Sequence, residues 1–104
     1  MPMITADTGI VIQINVFTVP EGGQQALIEL LTEAAHACRT VPGWISASLH
    51  RSLDGTRVVN YAQASDRAAM ARVFAVLQQG GFLERNRLLG TAHPGLYEVV
   101  MTLE

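Results

Sequence analysis

The chain has 104 residues, of which 49% are hydrophobic and only 15% are charged, and its formal net charge at neutral pH is −2. This length fits one domain, the composition excludes a disordered chain, and the acidic balance excludes the basic stripe that is typical of nucleic-acid-binding proteins. A small domain with so few charges must expose apolar surface, so we expect that surface to bind a partner, most simply a second copy of the chain.

The first predicted element is a strand over Gly9–Val19, where β-branched residues are frequent. Apolar side chains occur on both of its faces, which indicates a strand that is covered on both sides. Met1–Gly9 lacks the basic start and apolar stretch of a secretion signal, and we expect residues 1–8 to form a flexible N-terminus. Residues 9–104 are predicted to form a single domain.

A helix is predicted after the breaker Pro20–Gly23, because apolar residues recur at helical spacing between Leu27 and Cys38. Its charged residues lie off that face, so one side of the helix is expected to pack on the core. The segment Val41–Gly43 contains Pro and Gly and is predicted to end the helix.

A β-hairpin is predicted next, with strands over Trp44–Arg51 and Thr56–Ala64 and a turn over Ser52–Gly55. The Asp-Gly pair in the turn is a strong hairpin signal. Strict alternation divides the side chains between two faces. The face predicted to lie under the helices carries Ile45, Ala47, Leu49, Val58, Asn60 and Ala62. The opposite face carries Trp44, Ser46, Ser48, His50, Arg57, Val59, Tyr61 and Gln63.

A second helix is predicted to begin at the N-cap Ser65-Asp66 and to place an apolar face between Ala69 and Leu77. Gly80-Gly81 ends it, and Phe82–Leu89 is predicted to form a short extra helix. Residues Gly90–Gly95 read as a loop because they contain Pro and two Gly.

The last predicted strand is Leu96–Leu103, which completes the order β-α-β-β-α-β. This is the ferredoxin-like arrangement of the α+β class, with an antiparallel sheet. Both helices of that fold cover one face of the sheet. The other face stays open unless something covers it, and a second subunit stacked on it would account for the shortage of charge.

Asn60 is the most informative single residue, since it is an amide on the face assigned to the helices. A buried amide without partners costs on the order of 1–3 kcal/mol. Either Asn60 has a structural role and bonds to backbone or water, or it faces a cavity that binds something.

Several other residues each allow two interpretations, one structural and one functional. His50 on the opposite face is either an interface histidine or a base or ligand contact. Arg85 and Arg87 are either solvated or placed at a cavity mouth, where they could bind an anionic oxygen. Three apolar residues either fill the core or line a pocket: Met70, Phe74 and Phe82.

Other kinds of site find little support in the sequence. The single cysteine, Cys38, excludes an internal disulfide and reads as a core residue rather than a nucleophile, and no Cys/His cluster suggests a metal. No apolar run is long enough for a membrane span. We therefore expect a cytoplasmic protein without a metal, membrane or nucleic-acid partner.

Two segments of the hairpin carry a resemblance to a known protein family. They are Val41-Pro42-Gly43-Trp44-Ile45-Ser46-Ala47 and Val58-Val59-Asn60-Tyr61-Ala62-Gln63, with His50 and Asp54-Gly55-Thr56 between them. They resemble the antibiotic biosynthesis monooxygenase family, most closely the small quinone-forming monooxygenases of aromatic polyketide pathways. The first strand and the segment Leu96–Val100 fit the family too, so the resemblance covers nearly the whole chain.

The resemblance implies a dimeric α+β barrel, in which two ferredoxin-like subunits pack their sheets face to face. It also implies oxidation of an anthrone-like phenol to a quinone by O₂, with no cofactor. An asparagine on the third strand contacts the substrate in such enzymes, and Asn60 matches it. The substrate-binding set that we expect comprises Asn15, Ala64, Met70, Phe74, Phe82, Arg85 and His50, with Asn60 as the catalytic residue.

The chain also departs from the family pattern. Ala64 stands where the family commonly has tryptophan, and Met70 stands near an aromatic phenol used by some members. The smaller Ala64 is expected to leave room beside Asn60. A haem-degrading branch of the family uses an asparagine that Asn15 matches, but it also needs the missing tryptophan and a histidine, and Asp66–Gln79 contains no histidine.

Three functions follow from these observations. The first is a cofactor-independent monooxygenase that oxidises an aromatic polyketide-like phenol or a quinol with O₂. The second is a non-oxidative cyclase or isomerase, or a ligand-binding protein, of the same fold. The third is a structural dimer partner within a larger biosynthetic assembly, while haem degradation is disfavoured.

Overall fold

A four-stranded antiparallel sheet carries three helices on one face in the computed structural model, which describes residues 2–104. The strands are β1 (Val11–Thr18), β2 (Trp44–Arg51), β3 (Arg57–Ala64) and β4 (Thr91–Tyr97). The helices are α1 (Gln24–Cys38), α2 (Arg67–Gln79) and α3 (Phe82–Leu89). The strand order is β2-β3-β1-β4, so the predicted α+β class and antiparallel sheet are confirmed.

The main apolar core lies between α1 and the two central strands. Leu27 and Leu31 of α1 pack against Phe17 of β1 and Val58 of β3, and all four side chains are buried. The helical spacing of the leucines and the alternation of the strands place these side chains on facing surfaces. Every second residue along β1 and β3, counted from Phe17 and Val58, therefore also faces the helices.

The last strand begins five residues earlier than the sequence predicts. Residues Gly90–Gly95 were expected to form a loop and Leu96–Leu103 a strand, but β4 spans Thr91–Tyr97 and residues 98–104 belong to no strand. β4 lies at the edge of the sheet and pairs only with β1. An edge strand can include a proline, because the missing N–H need not serve a second neighbour, and Pro94 therefore does not end the strand.

A β-bulge at the start of β2 changes which side chains face the helices. Trp44 pairs with Ala64 and Ser46 pairs with Gln63, so Ile45 is an extra residue with no partner. The bulge brings Trp44 to the helix side of the sheet and leaves Ile45 42% exposed. The prediction that placed Trp44 on the opposite face and Ile45 under the helices is wrong, because strict alternation fails where a strand gains a residue.

Gly43 joins α1 to this bulge at a point where no side chain fits. Its φ angle is +89°, and a Cβ at this position would clash with Cβ of Ala69 and lie 2.7 Å from Oγ of Ser65. The Gly43 carbonyl accepts a hydrogen bond of 2.8 Å from the Ser65 N–H. The beginning of α2 therefore packs directly on the backbone that carries Trp44.

The hairpin turn between β2 and β3 is organised by one carboxylate. Oδ1 of Asp54 accepts hydrogen bonds from the Thr56 hydroxyl at 2.6 Å, the Thr56 N–H at 3.0 Å and the Ser52 hydroxyl at 2.8 Å. These bonds lower the pKa of Asp54 from 3.8 to about 2, and the bond from the Thr56 hydroxyl has the largest effect. The ionised carboxylate of Asp54 thus stabilises the folded chain relative to the unfolded chain.

Substitution of Asp54 by asparagine is expected to reduce the acid sensitivity of the fold. Folding lowers the pKa of Asp54, so its ionised carboxylate contributes to the free energy of unfolding. This contribution is fully present above pH 3.8, the pKa in the unfolded chain, and is lost as the pH falls through about 2. Urea unfolding should show the wild-type protein as the more stable at neutral pH, with the difference from Asp54→Asn shrinking between those two pH values. A difference that is independent of pH would contradict this role.

The face of the sheet away from the helices is only partly covered. Gln63 is almost fully buried there, and its Nε2 donates to the Met3 carbonyl at 2.8 Å and to Oγ of Ser46 at 3.2 Å. The segment that precedes β1 therefore contacts one end of this face. Within residues 2–104, no helix combines the length and apolar character needed to cross a membrane.

Candidate functional site

A cavity of about 230 Å³ lies between the sheet and the helices. Most of its wall is apolar, and residues from all three helices and all four strands contribute to it. Its polar side chains are few and are Gln13, Asn15, Asn60, Asn86 and Arg87. An apolar cavity with a small number of polar groups is the usual form of a small-molecule site.

Asn60 lies in the sheet wall of this cavity, where β3 is flanked by β1 and β2. Its cross-strand partners are Asn15 on β1 and Leu49 on β2. The Oδ1 atom of Asn60 is buried and has no hydrogen-bond partner. A carbonyl left in this state costs about 1–3 kcal/mol, so the fold alone does not account for an amide at this position.

Asn15 lines the same wall, and its amide has a fixed orientation. Its Oδ1 accepts a hydrogen bond of 3.0 Å from the His93 N–H of β4. The carbonyl end is thereby used by the edge strand, which leaves Nδ2 as the end that a ligand oxygen could bind. Asn15 and Asn60 are directly paired in the sheet, so two amides stand side by side on the cavity floor.

Asn86 of α3 is a cavity residue that sequence reasoning missed. Its Oδ1 atom is also buried without a hydrogen-bond partner. The signal that could have revealed it is the helical period, because Asn86 follows the buried Phe82 by four residues and therefore lies on the inner face of α3. A polar residue at this spacing, on the apolar face of a short helix, is a candidate cavity residue for the same reason as Asn60.

Trp44 supplies the indole of the cavity. It lines the wall and is the direct cross-strand partner of Ala64, the position at which the resemblance led us to expect a tryptophan. Ala64 itself is fully buried against Ala69 and Met70 and does not line the cavity. The expected room beside Asn60 is therefore absent at Ala64, because the start of α2 fills it.

Phe74 connects the cavity to an open groove between α2 and β4. Its side chain is 48% exposed and lines both spaces. The groove has a volume of about 530 Å³ and is largely apolar, with Met70, Leu96 and Arg67 among its residues. Met70 thus lies in the groove and not in the cavity, while Phe74 stands between the two.

Two further predicted binding residues lie outside the cavity. Phe82 is buried in a core cluster with Leu30 and Ala34. The guanidinium of Arg85 forms a salt bridge of 3.2 Å with Glu33 on the surface and lies 5.4 Å from the ring centroid of Phe82. Arg87, two residues further along α3, points to the other side of the helix and lines the cavity.

His50 is on the opposite face of the sheet, as predicted from alternation. It is exposed, and its Nε2 lies 3.0 Å from Oγ of Ser48. The sheet separates it from the cavity. Position alone therefore gives His50 no contact with a ligand bound among the helices.

The chemistry available inside the cavity is that of neutral amides and one cation. Burial raises the pKa of the Cys38 thiol, which keeps this wall residue protonated and poorly nucleophilic. The wall contains no carboxylate or imidazole within residues 2–104, and no cluster of three metal-binding side chains occurs in that range. Such a site can hold a ring, bind its oxygens and favour a negative charge near Arg87.

Comparison with known proteins shows which families and structures this chain is similar to. The family model described as antibiotic biosynthesis monooxygenase matches residues 10–75, which contain β1, α1, the hairpin and most of α2. Tetracenomycin-F1 monooxygenase of Streptomyces glaucescens is 43% identical over 51 residues, which are 48% of this chain and 46% of that protein. The matched stretch thus spans less than half the length of this curated relative.

Two solved structures are similar over nearly the whole chain. The ActVA-Orf6 monooxygenase of Streptomyces coelicolor, in complex with nanaomycin D, is 31% identical over 93% of this chain and 92% of its own, with a TM-score of 0.79. SnoaB, a cofactor-independent oxygenase of Streptomyces nogalater, is 26% identical over 91% of this chain and 97% of its own, with a TM-score of 0.82.

Proposed function

Because the chain belongs to the antibiotic biosynthesis monooxygenase family, we propose that it is a cofactor-independent monooxygenase. Its substrate is an anthrone-like phenol or a quinol, and its oxidant is O₂. The observation that carries the proposal is the unpartnered Oδ1 of Asn60 in the wall of an apolar cavity. The similarity to two oxygenases over nearly the whole chain supports the reaction class.

The proposed reaction balances without an added reductant. The methylene carbon of an anthrone loses two hydrogens and gains one oxygen atom, which makes it the second carbonyl of a quinone. The other oxygen atom of O₂ leaves as water with those two hydrogens. The methylene carbon supplies all four electrons that reduce O₂, so the protein needs only to bind the substrate and favour its electron-rich phenolate form.

Different cavity residues bind the substrate and stabilise its phenolate form. The amide of Asn60 binds the substrate oxygen and holds the ring in place, as a preorganised hydrogen-bond partner does. The cation of Arg87 favours the phenolate, a role that Arg85 cannot fill because Glu33 holds it on the surface. Trp44 and Phe74 offer aromatic surface for the ring.

A ligand-binding function without oxidation is the second candidate. It is favoured by the cavity wall, which among the described residues 2–104 offers no carboxylate or imidazole to move a proton. The same observation weighs against a cyclase or isomerase, since those reactions need a positioned acid or base. Consumption of O₂ separates oxidation from binding alone.

Oxygen-electrode measurements with anthrone and hydroxylated anthrones test the proposed function. The protein would be treated with a chelator and freed of flavin before the assay. We expect O₂ uptake above the uncatalysed rate, with one quinone formed for each O₂ consumed. Binding of the same compounds without any uptake would refute the oxygenase and support the ligand-binding function.

We also propose that the chain is a homodimer through the open face of its sheet. The chain exposes 6733 Å², whereas a compact monomer of 11.2 kDa exposes about 5,700 Å². Part of this excess comes from the terminal segments, where Met3, Val100 and Leu103 are exposed, and the rest is available to an interface, of which each partner in a standard case buries roughly 800 Å². Side chains that no helix covers on this face include Ile14, Val16, Val59 and Tyr61.

Substitution of Ile14 by glutamate is expected to convert the dimer into a monomer. Ile14 lies mid-sheet, opposite Tyr61 on β3 and Gly95 on β4, so a charge there would be buried between two sheets. Light scattering during gel filtration should give twice the chain mass for the wild-type protein and the chain mass for Ile14→Glu. Leu88→Glu, at an 85% exposed position on α3, is the control that should remain dimeric. A monomeric wild-type protein would contradict the proposal.

A further inference from the structure

Two buried amide oxygens belong to opposite walls of the cavity, and the fold uses neither. Asn60 carries one on the sheet, and Asn86 carries the other on α3. No other buried side-chain nitrogen or oxygen between residues 2 and 104 lacks a hydrogen-bond partner. Each such atom costs about 1–3 kcal/mol, and the occurrence of both in one cavity indicates that they serve a shared ligand.

The side chain of Asn86 has no structural role in its helix. Its main-chain carbonyl accepts a hydrogen bond of 3.0 Å from the Gly90 N–H and so helps to end α3, but its side chain takes no part in this cap. Arg85 on the outer surface of α3 behaves differently, since it is paired with Glu33. Asn86 is thus the neutral polar residue that α3 turns toward the cavity, beside the cation of Arg87.

The dimensions of the cavity limit what both amides can hold. A cavity of 150 Å³ is enough for benzene, so about 230 Å³ admits one or two fused rings. A larger ring system would have to continue past Phe74 into the groove between α2 and β4. The part of a ligand that lies between Asn60 and Asn86 is therefore small and flat.

We propose that Asn86 is a specificity-determining residue that binds a second oxygen substituent of the aromatic substrate, while Asn60 binds the first. The inference rests on the proposed function for the identity of the ligand and narrows its class to aromatic compounds with two hydroxyl groups on separate edges. Either the oxygen or the nitrogen of a terminal amide can point into the cavity, because a half-turn of the amide exchanges the two atoms in nearly the same volume. Each amide can therefore accept a hydrogen bond from a hydroxyl that enters the cavity.

Binding of naphthalene derivatives without oxygen tests this inference. Isothermal titration calorimetry reports binding of each probe, because naphthalene derivatives absorb and emit in the same wavelength range as Trp44, the single tryptophan of the chain. The probes are the isomeric naphthalenediols, the two naphthols and naphthalene. We expect at least one diol to bind about tenfold more tightly than either naphthol, which is the value of one additional hydrogen bond in a buried site.

The variant Asn86→Leu should remove this tenfold preference and leave the affinity for naphthols within about twofold. Asn86→Ala serves as a second variant in case leucine disturbs α3, and Glu84→Leu on the exposed surface of the same helix should keep the preference. A diol preference that is absent from the wild-type protein, or that survives in both Asn86 variants, would overturn the inference. A protein that shows the preference and loses it in these variants, but consumes no O₂ with any anthrone, would refute the proposed oxygenase alone.

Discussion

Replacement of Asn60 by leucine is expected to slow O₂ consumption by about tenfold or more and to raise the melting temperature of the same protein. The loss of rate follows from removal of a preorganised partner for the substrate oxygen. The gain in stability follows because the buried Oδ1 has no hydrogen-bond partner, and leucine fills a similar volume without an unpaired polar group. A gain of about 1 kcal/mol corresponds to roughly 4–8 °C in a domain of this size.

Gln63 offers a matched control on the same strand. It is also a buried amide, but its Nε2 donates to the Met3 carbonyl and to Oγ of Ser46. Gln63→Leu should therefore lower the melting temperature, in the opposite direction to Asn60→Leu. A fall in stability for both variants would show that Asn60 has a structural role, and an unchanged rate in Asn60→Leu would remove it from the mechanism.

Substitution of Ala64 by tryptophan is expected to destabilise the fold and not to improve oxidation. The family resemblance suggests that a tryptophan at this position would restore a missing part of the site. In the structure, Ala64 has no exposed surface and packs against Ala69 and Met70, with Trp44 directly across the sheet. Forcing an indole into this contact costs about 1–3 kcal/mol or more.

Urea unfolding and oxygen uptake of Ala64→Trp measure both effects. Ala75→Trp, at an exposed position of α2, is the matched control and should change the free energy of unfolding by no more than about 0.5 kcal/mol. A stable Ala64→Trp protein with faster O₂ consumption would contradict the packing described here.

The sequence was sufficient for the elements whose patterns are local. The leucines of α1, the Asp54-Gly55 turn and the alternation of β3 each predict a structure that depends on near neighbours, and each prediction is confirmed. Alternation also placed Asn60 under the helices, where the cavity lies. These patterns are reliable because burial of one face is what stabilises each element.

The failures arise where a neighbouring element decides the outcome. The bulge at Ile45 and the strand through Pro94 depend on how β2 and β4 pair with their neighbours, and pairing is not visible in a single strand. Arg85 was preferred to Arg87 because nothing in the sequence shows that Glu33 lies close to Arg85. The sequence predicts α3 as a short helix, but Asn86 is absent from the predicted site because only the structure shows that the inner face of α3 borders a cavity.

The fate of the oxygen atoms tests the central claim most directly. The purified protein, free of metal and flavin, would convert an anthrone under isotope-labelled O₂, and mass spectrometry would follow the label. A monooxygenase predicts one labelled oxygen in the quinone formed, the other in water, and about tenfold less labelled quinone from Asn60→Leu in the same time. A quinone without label, or a substrate that binds in the cavity and is recovered unchanged, would contradict the account.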